Sequence, residues 1–173
     1  MSLLETAFAV AIVGSLLAVL IPTFVRRVEV SKTSEAIRVL EEMHLRTAAY
    51  FDRTHEQDSI ARRWCLPDEA GPTPRFPSVE RVEFDFQAET SPGHATWRAI
   101  GFAPGPVRFR YSLVPESTGC GIRRPSHVPV VSYVAEGDLD VDGTLSTYER
   151  SDSVDDEGRL VPEGALRIHA PVE

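Results

Sequence analysis

Residues 6–25 read TAFAVAIVGSLLAVLIPTFV, twenty residues without a charged side chain. No other feature narrows the possible folds so far. A helix of about 20 apolar residues matches the roughly 30 Å hydrocarbon layer of a bilayer. A buried helix of a globular protein is seldom apolar around its whole circumference over that length. The run is therefore read as a membrane-spanning helix whose end, at Arg26 and Arg27, sits at a headgroup boundary. A cleaved signal peptide fits less well. Glu5 is the only charged side chain before the run, so the basic leading region is missing, and the helical pattern continues into residues 28–55 without a small-residue cleavage site. Two features are unusual for a plain anchor. Glu5 places an ionisable group at the edge of the run, where such groups are costly and usually functional. Pro22 removes a backbone hydrogen bond inside the helix, and Gly14 adds a second weak point.

The segment MSLLETAFAVAIVGSLLAVLIP resembles the N-terminus of a processed type IV pilin or pseudopilin. In that family a glutamate stands at the fifth mature position, a glycine near the middle of the apolar run and a proline near its end. Glu5, Gly14 and Pro22 fall in that register when Met1 is taken as the first mature residue. Residues 31–36, SKTSEA, resemble the stretch that follows the anchor in many pilins. Met1 departs from the commoner phenylalanine, and the leader peptide is absent: either the chain is the mature form or Met1 is an initiator, and the register of Glu5 favours the mature form. The resemblance implies assembly through Met1, Glu5, Gly14 and Pro22. It also implies partnership with identical or related subunits in a helical polymer. A precursor in the inner membrane would be handled by an assembly machinery before it becomes an extracellular filament or a periplasmic pseudopilus. The alternatives are a type II secretion pseudopilin and an anchored calcium-binding module that never polymerises.

After the run, Ala36, Leu40, Met43, Thr47 and Tyr50–Phe51 recur at three- to four-residue spacing, a helical stripe. Glu29, Lys32, Glu35, Arg38, Glu41, Glu42 and Arg46 occupy the other faces. His44 and His55 lack a second ligand at fixed spacing and read as surface or packing residues. One helix is thus expected to join a membrane or filament-core half, residues 1–27, to an amphipathic half, residues 28–55. Pro67, Pro72, Pro74, Pro77 and Gly71 mark residues 56–78 as a connecting loop. Alternation then predicts strands at 79–86, 95–102, 106–113 and 128–135. The last stretch of the chain offers an edge strand at 160–168. The expected fold class is α+β: a long N-terminal helix packed on a small antiparallel sheet with one wet face, pilin-like, the sheet domain covering residues 79–173.

The formal net charge is −8, and its distribution matters more than its size. Residues 131–173 hold 11 acidic and 3 basic side chains, which leaves 15 of each for residues 1–130. Such a chain does not bind nucleic acid by neutralising phosphates. Within this stretch DLDVDGTLSTYE at 138–149 has the D-x-D-x-D-G spacing of a calcium loop with a glutamate at the twelfth position. Asp138, Asp140, Asp142, Thr144, Ser146 and Glu149 are the candidate Ca²⁺ ligands, because a hard cation takes six to eight oxygens. The flanks read as strand, so the loop sits on a strand–loop–strand scaffold, and an acidic turn that binds nothing is the competing reading. Cys65 and Cys120 exclude a cysteine-rich zinc module. They are expected either to pair, tying the segment after the helix to the Gly119–Gly121 turn, or to stay buried thiols. No phosphate loop, nucleophile elbow or zinc-protease motif occurs, so no enzyme is expected.

Overall fold

A computed structural model describes residues 3–57, 59–122, 127–139 and 142–169, the side chains of 3–6, 9, 22–32 and 57 excepted. The chain forms helix α1 (Leu3–Asp52), a hairpin of β1 (His55–Gln57) and β2 (Ile60–Arg62), β3 (Ala70–Thr73), helix α2 (His94–Ile100), β4 (Arg110–Pro115), β5 (Pro129–Gly137), β6 (Ser146–Val154) and β7 (Leu160–His169). Strands β3 to β7 form one antiparallel sheet in chain order. Two compact units result, residues Met1–Ser34 and Glu35–Glu173.

The second unit is built on the alternation of its strands. Leu113, Val131, Tyr133, Ala135 and Tyr148 point to one buried face, while Arg110–Glu136 and Glu149–Arg167 pair across the wet face at 2.8 and 3.5 Å. Ala36, Val39, Leu40, Met43 and Phe51 of α1 enter the same core, fully buried. Each large side chain of that stripe is worth about 1.5–3 kcal/mol in apolar burial. Phe86, Trp97 and Phe102 pack edge-on or tilted at one end of the core, with ring centroids 5.0–5.8 Å apart.

Several expectations are corrected. The pilin-like fold class with a membrane half does not stand, because among the described residues no helix is long and apolar enough to cross a membrane. A single-pass inner-membrane location falls with it. The part of α1 that belongs to the sheet domain starts at Glu35 rather than at residue 28.

Residues 95–102, expected as a strand, form α2 and its exit. Trp97 and Ile100 are buried at an i, i+3 spacing, and left-handed glycines, Gly93 and Gly101, bound the helix. A side chain at Gly93 would meet Ala70 at 2.5 Å, so only glycine makes that turn. Residues 79–86 contribute one isolated bridge, Val82 to Val107, instead of a strand. The proline-rich loop supplies a short strand after all: β3 contains Pro72, tolerated because β3 is an edge strand.

Candidate functional site

Three regions carry chemistry or unspent surface. The first is the described apolar part of α1. Phe8, Val10, Ile12, Val13, Leu16, Leu17, Val19, Leu20 and Ile21 are all exposed, from 48% at Leu17 to 71% at Val10. A monomer rarely leaves that much contiguous apolar surface in water. Ser15, the polar residue in this stretch, turns its hydroxyl back to the Ala11 carbonyl at 2.8 Å. Gly14 leaves open space where a side chain would stand, in an apolar groove of about 400 Å³ flanked by Val10, Val13 and Leu17. Of the expected assembly residues, Gly14 lies on this surface. Glu5 and Pro22 lie within α1 by backbone. Met1 lies outside the described residues.

The second region is the acidic loop between β5 and β6. The hairpin closes at the Gly137–Ser146 pair. Asp138 Oδ2 accepts from the Gly143 amide at 3.2 Å, and Asp142 Oδ1 accepts from the Thr144 amide at 2.6 Å. Gly143 takes φ +87°, the left-handed conformation the turn requires. Glu149 is not brought to this turn. It stands three residues into β6, about 10 Å along the strand, opposite Arg167 and Val134. Ser146 is buried at the start of β6, and Thr144 is exposed. Asp140 lies outside the described residues. Among the described residues no group of three or more metal-ligating side chains converges. The arrangement fits an aspartate-capped turn better than a twelve-residue calcium loop, because the strand carries the twelfth position away.

The third region was not legible as a site in the sequence. Three polar contacts fasten the Glu35–Asp52 part of α1 to the sheet domain. Glu35 is buried. Its Oε1 accepts from the Arg108 amide at 2.5 Å, and its Oε2 accepts from Arg81 Nε at 2.9 Å and Arg108 Nη1 at 3.0 Å. Glu41 pairs with Arg150. His44 Nδ1 lies 2.8 Å from Asp152 Oδ2, which also accepts from the Tyr133 hydroxyl at 2.6 Å. Burial, then the charge of Asp152, pushes the Tyr133 hydroxyl well above its ordinary range. Burial, then the charge of Glu35, does the same to Tyr111. At the β6–β7 turn, the Arg159 backbone amide and then its side chain hold the Asp155 carboxyl below the usual carboxylate range.

The sequence pattern puts Glu35 on the outer charged face and reads His44 as a surface or packing residue. At about 100° per residue, nine positions put them about 180° apart, on the two margins of the buried arc. A charged residue on such a margin was the available signal. Cys65 and Cys120 form a disulfide across 55 residues, joining the segment after β2 to the Gly119–Gly121 turn as expected. Beside it, Leu66 and Gly119 form a bridge.

Comparison with known protein-family models, with curated proteins and with solved structures finds no match.

Proposed function

We propose that this chain is a structural subunit that assembles with copies of itself through the N-terminal part of α1. The observation that carries the proposal is the exposed apolar surface from Phe8 to Ile21. Its large side chains occupy more than one side of the helix, so covering them takes neighbours on several sides. A polymer supplies such neighbours, whereas a two-fold dimer covers one patch. The resemblance of residues 1–36 to pilin and pseudopilin N-termini supports the same reading, with Glu5 as the charge that sets register. Glu5 of one copy would meet the Met1 amine of the next, and no other charged side chain interrupts the run to Arg26. In the core of a polymer, stranding one partner of that pair costs about 3–5 kcal/mol.

The test is assembly of the purified full chain, followed by sedimentation and negative-stain electron microscopy. Wild type should form filaments, and Glu5→Lys should abolish them because it repels the amine. A wild-type chain that stays monomeric at high concentration, or a Glu5→Lys variant that assembles as wild type does, would sink the proposal.

A further inference from the structure

The seam between α1 and the sheet contains more polar atoms than its direct hydrogen bonds use. His44 and Thr47 stand three residues apart on one face of α1. Opposite them, Tyr133 of β5 and Arg150 of β6 are register partners, and Asp152 lies two residues further along β6. Asp152 Oδ2 takes both direct bonds, from His44 and Tyr133. Asp152 Oδ1, Thr47 Oγ1 and Arg150 Nε are buried, and none has a hydrogen-bond partner among the described residues. Thr47 faces the Tyr133 hydroxyl without reaching hydrogen-bond geometry. A buried polar atom left unpaired costs about 1–3 kcal/mol, more for a charged group, so each of the three calls for a partner.

We propose that an ordered water molecule bridges Thr47 Oγ1 on α1 to Asp152 Oδ1 on β6, with Arg150 Nε–H as its third partner. The three atoms define the chemistry of the occupant. A carboxylate oxygen needs a donor, and a guanidinium N–H needs an acceptor. The threonine hydroxyl serves as either. A metal cation would face the arginine, and an anion would face the aspartate. Water donates and accepts at once, and buried waters typically make about three hydrogen bonds to groups like these. The bridge joins helix to strand, so the seam is held partly by solvent. Such a bond is nearly as favourable as a direct one.

The experiment is a high-resolution crystal structure of the full chain, paired with water-selective nuclear Overhauser spectroscopy in solution. The expected result is one ordered water within hydrogen-bond distance of Thr47 Oγ1 and Asp152 Oδ1. A long-lived water cross-peak to the Thr47 side chain should accompany it. Thr47→Ser should keep the cross-peak, and Thr47→Val should lose it. A wild-type seam in which Thr47 bonds Asp152 or Tyr133 directly, with no water between, would overturn the proposal. So would a cross-peak that survives Thr47→Val. The wild-type measurement decides the matter even if the valine variant does not fold.

Discussion

Helix α1 contains two stretches of similar length and opposite character. From Ala7 to Ile21 it is apolar and exposed, and its one described polar side chain is folded back on the backbone. From Glu35 to Asp52 one side is buried, and three polar contacts fix it to the sheet domain. The first stretch is adhesive without being specific: apolar contact is non-directional and accepts many neighbours. The second is specific, because each carboxylate must find its donors in one register. The contrast separates stickiness, which a segment can carry in its composition, from placement, which needs partners distant in sequence.

The strongest way to break the second stretch's setting is to open the loop that closes behind it. Replacing Cys65 and Cys120 by serine should lower stability by about 4 kcal/mol in the chain-entropy model, read as a lower midpoint in denaturant. The exposed stretch should not respond, so assembly per folded molecule should hold. Next comes Glu35→Ala, which leaves two arginines without their buried carboxylate. A loss of about 3 kcal/mol is expected, and a change below about 0.5 kcal/mol would show that the contact is ornamental.

High pH tests the same buried face. Tyr111 and Tyr133 are held neutral by burial. Their folded-state values lie above the unfolded one, so their contribution is fully present below about pH 10 and is lost as pH rises further. The loss should approach about 1.4 kcal/mol per pH unit for each tyrosine. Absorbance near 295 nm should therefore show these two rings ionising only as the domain unfolds. Ionisation with the fold intact would refute that burial. The smallest effect on stability should come from the other stretch. Leu16→Ala should change the unfolding midpoint by less than about 0.5 kcal/mol, since its side chain is exposed. It should nevertheless weaken assembly. A large drop in monomer stability would mean that this surface is already occupied within the chain.

Legibility followed the range of the interactions. The stripe Ala36, Leu40, Met43, Thr47 and Phe51 could be read because a helix repeats every 3.6 residues. Strands β4 and β5 could be read because Tyr111 and Leu113, or Val131, Tyr133 and Ala135, alternate. Residues 95–102 misled because Trp97, Ala99 and Gly101 sit at alternate positions while Trp97 and Ile100 also fit a helical turn. A segment of eight residues is too short for period alone to decide, and the glycines that bound α2 settled it. In the calcium spacing the twelfth position is the one that a strand–loop–strand scaffold takes away from the turn: β6 carries Glu149 to the wet face, opposite Val134 and Arg167. The membrane reading does not stand, since among the described residues no helix is long and apolar enough to cross a membrane.

What the sequence alone determined is whatever depends on neighbours within a few positions: the helix, the alternating strands, the aspartate turn, and the concentration of apolar side chains before Arg26. The disulfide partners could be named because only two cysteines exist. The tertiary structure alone decided that Glu35 meets Arg81 and Arg108, that His44 and Tyr133 share Asp152, and that Arg150 reaches Glu41. These pairs are separated by up to 109 residues. Nothing local distinguishes a carboxylate bound for a buried arginine from one bound for water. The free energy that selects between them arises only when the sheet and helix close and remove the solvent from both.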